Sequence, residues 1–144
     1  MQPKRRTLAF ALMALFLPVS ADVLGQQVAH PNPGSPGQWR LIGTTRASHQ
    51  ADHDTLIVQG PNDDFRAIKL KVTGAPLNLH RMVVTYENGE PDTIQTRYSI
   101  PQGGETRTID LRGAGKRRIR RIDFWYDTRG LTNREAAVTI FGMK

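Results

Sequence analysis

Apolar and polar residues alternate one by one along most of the chain. Ile68, Leu70 and Val72 fall on one side of a run whose other side is Lys69 and Lys71. A period of two marks a half-buried strand, because successive side chains point to opposite faces. The same pattern predicts strands over Trp39 to Thr45, Thr55 to Gln59, Phe65 to Val72, Leu77 to Tyr86, a return run through Ile94, Thr96, Tyr98 and Ile100, Thr106 to Leu111, Ile119 to Tyr126, and Ala136 to Phe141. Within Leu77 to Tyr86 the apolar phase shifts by one, from Leu77 and Leu79 to Met82, Val84 and Tyr86, which predicts a bulge near His80 and Arg81. Asn88-Gly89 has the positive-φ tolerance of a tight hairpin turn. Gly60-Pro61-Asn62-Asp63, Gly74-Ala75-Pro76, Gly103-Gly104 and Gly113-Ala114-Gly115 break the other runs. Beyond the N-terminal segment no stretch keeps a 3.6-residue apolar period. The expected fold is all-β: an antiparallel sandwich, jelly-roll-like or Greek-key, of about eight short strands. Ile122, Phe124, Tyr126, Val138 and Ile140 are expected inside, and Trp39 is expected to plug one end of the core.

The first residues break this pattern. Lys4, Arg5 and Arg6 precede an uncharged apolar run from Leu8 to Leu17, and Val19-Ser20-Ala21 ends it with small residues. That layout is a secretory signal peptide, and the run is shorter than the roughly 20 apolar residues of a membrane span. Three segments are expected: a signal peptide over 1–21, a flexible Pro/Gly/Gln-rich linker over 22–38 and a sandwich domain over 39–144. The product is expected to be exported, to the periplasm or outside the cell.

Composition narrows the chemistry. The 144 residues include no cysteine, so disulfides, a thiol nucleophile, thiolate metal sites and a lipidated cysteine are excluded. The formal net charge is +7, but without the three cations of the leader 17 basic residues face 13 acidic ones. That excess of four is ordinary for a soluble surface and small for a nucleic-acid binder.

Several segments together resemble a known family. They are Asp52-His53-Asp54-Thr55-Leu56-Ile57-Val58, Tyr86-Glu87-Asn88-Gly89, Arg107-Thr108-Ile109-Asp110-Leu111-Arg112-Gly113, Arg118-Ile119-Arg120-Arg121-Ile122-Asp123-Phe124-Trp125-Tyr126 and Val138-Thr139-Ile140-Phe141-Gly142. Over about Trp39 to Gly142 the chain is similar to an uncharacterised family of small exported bacterial β-sandwich proteins, a domain of unknown function. The resemblance implies a fold and a compartment, and no reaction or site comes with it.

Two clusters carry candidate chemistry. His49-Gln50-Ala51-Asp52-His53-Asp54 gathers two imidazoles and two carboxylates, and Asp52 and Asp54 would share a face of an extended segment. A zinc or calcium site is one reading. A polar loop whose aspartates bond backbone or pair with arginines is the favoured one, since no recognised metal spacing is present. Lys116, Arg117, Arg118, Arg120 and Arg121, with Trp125 close by, form the densest basic patch. Arginine forks suit phosphate and sulfate, so the patch is a speculative polyanion site for a glycolipid, glycan or nucleic acid. Strand phase places Arg121, Asp123 and Trp125 outward and Arg118 and Arg120 inward, with Asp123, Asp127 and Asp110 near enough to neutralise part of the charge. Trp125 can stack on a sugar, anchor a partner protein or be covered by another part of the chain. No Gly-x-Ser-x-Gly elbow and no phosphate-cradling loop before a helix occurs, and His80 has a structural default. No catalytic residue, metal or cofactor is assigned.

The expected role is that of a non-catalytic exported module binding an anionic envelope component or a protein partner. The alternatives are a small metal-dependent hydrolase using the His49 to Asp54 loop, and an envelope protein assembling through its edge strands.

Overall fold

The computed structural model describes residues 26–47, 53–94, 97–113, 115–127 and 135–144, and the leader expected over 1–21 lies outside them. The described residues form eleven strands: β1 (Gln26–Ala29), β2 (Trp39–Ala47), β3 (His53–Val58), β4 (Asp64–Phe65), β5 (Ala67–Thr73), β6 (Leu77–Tyr86), β7 (Pro91–Ile94), β8 (Tyr98–Ile100), β9 (Ile109–Asp110), β10 (Arg117–Asp127) and β11 (Ala136–Met143). They make two sheets. The larger runs β1-β3-β10-β6-β7, with β4 paired to β10 and β8 to β6, and the smaller runs β2-β11-β5-β9. The sheets pack as a sandwich, as expected from the alternation.

The core lies between them. Leu56, Ile68, Leu70, Leu79, Met82, Val84, Ile119, Ile122 and Ile140 are buried, and each sits on the inner side of its strand. The sheets come closest where side chains are smallest. A Cβ on Gly142 would lie 2.4 Å from the Phe65 ring, so the glycine is what lets Phe65 lie flat against β11.

Two bulges in the larger sheet set which of its side chains point out. Between Tyr126↔Leu79 and Trp125↔Arg81 one extra residue, His80, enters β6, as the phase shift predicts. The return run of the Asn88-Gly89 hairpin is split at the same level, β7 pairing with Met82 to Thr85 and β8 with Leu77 to Leu79. A second register shift falls between Ile119 and Arg121 on β10. The inward phase therefore runs Ile119, Ile122, Phe124, Tyr126, and Arg118 and Arg120, expected inward, are both exposed. Alternation alone misplaces them because an inserted residue resets the phase.

Three other expectations need correction. Residues 26–38 are a packed part of the domain. β1 lies parallel to β3, Ala29 and Pro31 are buried, and the backbone is held by Asn32 N–H to Leu41 O at 3.1 Å and Gly37 N–H to Lys144 O at 3.1 Å. The parallel β1–β3 pair also departs from a purely antiparallel sandwich. Trp39 lies on the outer side of β2, half-buried, with the Lys69 ammonium 4.6 Å from its ring centroid. Arg40, beside it, takes the inward place. Prolines exclude strand at 31–36 but do not prevent a segment from being tied down by its neighbours' donors and acceptors.

Candidate binding face

The central strands β3, β10 and β6 carry a mostly polar surface on the outer side of the larger sheet, interrupted by Ile57 and Val83. Strand register builds it: Trp125 on β10 stands between His53 on β3 and Arg81 on β6. The His53 and Trp125 rings stack 4.4 Å apart at 7°, and the Arg81 guanidinium lies 4.4 Å from the Trp125 ring centroid. Both flat faces of the indole are thus occupied. Trp125 is covered by its cross-strand neighbours, which leaves its edge, and not a stacking face, toward solvent.

Asp123, two residues back on the same side, is 4% exposed although it belongs to the outer face. Its carboxylate accepts from His53 Nε2 at 3.1 Å, Thr55 Oγ1 at 2.6 Å and Arg121 Nε at 3.0 Å. These donors replace the water a buried carboxylate would otherwise lose. Asp127 plays a similar part at the other end of the face. It bonds His80 Nε2 and accepts from Asn78 Nδ2 at 3.1 Å, and Ser99 Oγ donates to Asn78 Oδ1 at 2.7 Å.

The two bulges shape the charge of this face. One turns His80 and Arg81 outward together, and the other does the same for Arg120 and Arg121. Arg81 and Arg120 are exposed and form no ion pair with a carboxylate among the described residues.

The rest of the basic cluster is engaged with the protein. Arg117 donates from Nη1 to Arg112 O at 2.7 Å, lies 3.5 Å from Glu90 Oε1 and covers the Tyr86 ring at 3.9 Å. Arg118 faces Glu87 at 3.4 Å and Lys116 faces Asp64 at 3.8 Å. The expected neutralisation by Asp123 holds for Arg121, while Asp110 pairs with none of the five. The structure therefore brings Arg120, Arg121 and Trp125 onto one face and sets Lys116, Arg117 and Arg118 apart at its end.

The His49 to Asp54 cluster divides. His49 and Asp52 lie outside the described residues, and the two that are described face opposite ways. His53 points out to Asp123, whereas Asp54 points into the core, where Tyr126 Oη donates to it at 3.1 Å. Asp54 is thus turned away from any surface cation site that the cluster's spacing suggested. Burial pushes its carboxyl above the usual range, against the opposing hydrogen bonds of Tyr126 and Thr45. A second buried pair sits at the far end of the β6–β10 ladder. Tyr86 Oη donates to Asp92 at 2.6 Å and accepts from Arg112 N–H at 3.1 Å. Burial and the adjacent carboxylate push the Tyr86 phenol well above its normal value.

An open groove of about 370 Å³ lies beside β9, between Arg66, Thr108, Asp110 and Met143. It is lined by no histidine and by one carboxylate, so it lacks the paired acid and base that hydrolysis uses.

Sequence reasoning missed Arg81, His53 and Asp123 as one unit. Each lies at an outward position of its own strand, and only the pairing of strands far apart in sequence makes them neighbours. The usable signal was the phase shift at His80 and Arg81, which marks a bulge and hence an outward pair.

No curated protein matches the chain. A solved structure of AlgX from Pseudomonas aeruginosa is 14% identical over 72% of this chain, with a TM-score of 0.44. The chain spans 26% of the AlgX chain it matches. A family model matches residues 10–142, and the chain belongs to that family, a domain of unknown function (DUF2541).

Proposed function

We propose that this chain is an exported, non-catalytic module that holds an anionic envelope component along the outer face of its larger sheet, through Arg81 beside Trp125 and through Arg120 and Arg121 further along β10. The observation that carries the reading is the pair of bulges. Each turns two consecutive residues outward on a central strand, so each level of the face gains an outward basic residue that simple alternation would not place there. Arg81 and Arg120 keep their forks free of carboxylates among the described residues, and Arg81 is held flat by the indole beneath it. A preoriented guanidinium loses little freedom on meeting phosphate or sulfate. Asp123 holds Arg121 upright from below, leaving the rest of its fork exposed. Export rests on the charged head, apolar run and small-residue end of the first 21 residues.

This assigns the contact differently from the linear cluster. Arg117 is a structural residue, locked between Glu90, Arg112 and Tyr86, so its reversal would disturb the fold. The test is retention on a heparin column. Arg81→Glu/Arg120→Glu should elute near the start of the salt gradient with a melting temperature within about 2 °C of the parent. Arg118→Glu, which breaks one exposed ion pair, should elute close to the parent. Undiminished retention of the double variant would remove this face from consideration.

A further inference from the structure

Arg40 is an arginine whose charge the protein has buried and left largely unanswered. It is 6% exposed, and its Nε and Nη1 are buried with no hydrogen-bond partner. Only Nη2 is served, donating to Ser35 O at 2.7 Å. No carboxylate among the described residues lies within ion-pair distance of it. A guanidinium does not escape this by losing its proton, and an unpaired buried charge costs several kcal/mol.

The surroundings add positive charge. Arg40 pairs in register with Gly142 on β11, and Lys144 follows two residues later on the same side. Lys144 Nζ contacts Asp64 at 2.6 Å, and Lys116 approaches the same carboxylate at 3.8 Å. One aspartate thus serves two lysines at this end of the sandwich, and Arg40 has none.

A lid closes the place. Residues 31–37 cross above the guanidinium, and a Cβ on Gly34 would lie 2.9 Å from Arg40 Cζ. Glycine there is what allows the backbone to rest on the arginine plane. The lid is held at its ends by Asn32 N–H to Leu41 O and Gly37 N–H to Lys144 O, while residues 32–38 are otherwise exposed.

We propose that Arg40, beneath the 31–37 segment and beside Lys144, is a binding site for one small oxyanion of phosphate or sulfate type. Such an ion accepts the unmet N–H groups of Arg40 and supplies the counter-charge that no described carboxylate gives it. Cover by residues 31–37 favours a small free ion over a phosphate carried on a polymer or a lipid. The site is separate from the Arg81–Arg120 face and does not depend on that reading.

The experiment is calorimetric titration of the full chain with inorganic phosphate, ionic strength held constant with chloride, with acetate and a phospholipid vesicle as parallel probes. Saturable uptake of one phosphate per chain is expected, with a rise in melting temperature of about 5 °C at ten times the dissociation constant. Arg40→Leu should lose the uptake, and Arg81→Glu/Arg120→Glu should keep it. No uptake by the parent overturns the proposal, as does uptake that survives Arg40→Leu, or vesicle binding with no response to the free ion. If Arg40→Leu does not fold, the Arg40 Nε–H resonance of the parent decides. A saturable shift with phosphate supports the site, and an unmoved resonance refutes it.

Discussion

Two tyrosines anchor buried carboxylates near opposite ends of the β6–β10 ladder, and they make separate demands on stability. Tyr86 Oη joins Asp92 to the Arg112 N–H, which also donates to Asp92 directly at 3.1 Å, so removing the hydroxyl takes away one of the two donors on a buried carboxylate oxygen. Tyr86→Phe should lower the unfolding free energy by about 1–3 kcal/mol in a denaturant titration. Tyr98→Phe, whose hydroxyl meets only the exposed Arg107 Nε at 3.0 Å among the described residues, should stay within about 0.5 kcal/mol of the parent. The aspartates give opposite pH signs. Burial raises the Asp54 pKa, so the folded state holds that proton more tightly than the unfolded chain. Its contribution favours folding below the ordinary aspartate range and is lost as pH rises through the raised value. Asp54→Asn should therefore melt above the parent at pH 7, with the gap closing toward pH 4. Asp64 is lowered, first by its hydrogen bond to Lys144, and its contribution is present at neutral pH and lost as pH falls through the lowered value. Asp64→Asn should melt slightly below the parent at pH 7, by about 0.5 kcal/mol or less because the site is partly exposed. Shifts of equal sign in the two variants would contradict this assignment.

Strands interact here through small residues and inserted ones. β1 is only four residues long, and its hold depends on Ala29 reaching across to β2. A Cβ on Gly43 would stand 2.6 Å from the Ala29 Cβ, closer than two carbon atoms approach. Gly43→Ala should loosen β1 from β3 while sparing the central strands. Amide exchange reports this directly, since the Gln59 N–H bonds Ala29 O at 3.0 Å and should lose its protection, whereas the Val84 amide should not. The bulges are the other device at this level. An alternating strand offers one outward residue in two, and each bulge adds an extra one, which is how Arg120 joins Arg121 and His80 joins Arg81.

At the scale of the molecule, the segment before Trp39 completes the sandwich. β1 extends the larger sheet at its β3 edge, and residues 31–37 cover the end where Arg40 is buried. A chain beginning at Trp39 should melt below one beginning at Gln26, because the apolar surface that Ala29 and Pro31 cover is exposed and the edge of β3 loses its partner. Equal melting temperatures would mean that β1 adds nothing to the fold. Charge is organised at the same scale: Lys116, Arg117 and Arg118 meet Asp64, Glu90 and Glu87 from other parts of the chain, and the less compensated cations lie on the sheet face.

Local pattern was enough for much of this. Alternation depends only on the two-residue repeat of an extended backbone, so it placed the long strands, the inward Ile122, Phe124 and Tyr126, the hairpin at Asn88-Gly89 and the bulge at His80. Proline and glycine content excluded regular strand at 31–36, yet said nothing about what that segment touches. The position of Arg118 and Arg120 was beyond reach because a single inserted residue reverses every later side chain, and a run of arginines gives no apolar phase in which to see it. Likewise the stack of His53, Trp125 and Arg81, the division of His53 from Asp54 and the missing counter-charge of Arg40 are all set by which strands pair. Local pattern settles the class of fold and the faces of those strands whose apolar alternation is unbroken. Apart from neighbours such as Arg121 and Asp123, which charges meet follows from strand pairing, because most of these ion pairs and hydrogen bonds join residues that are close in space and far apart along the chain.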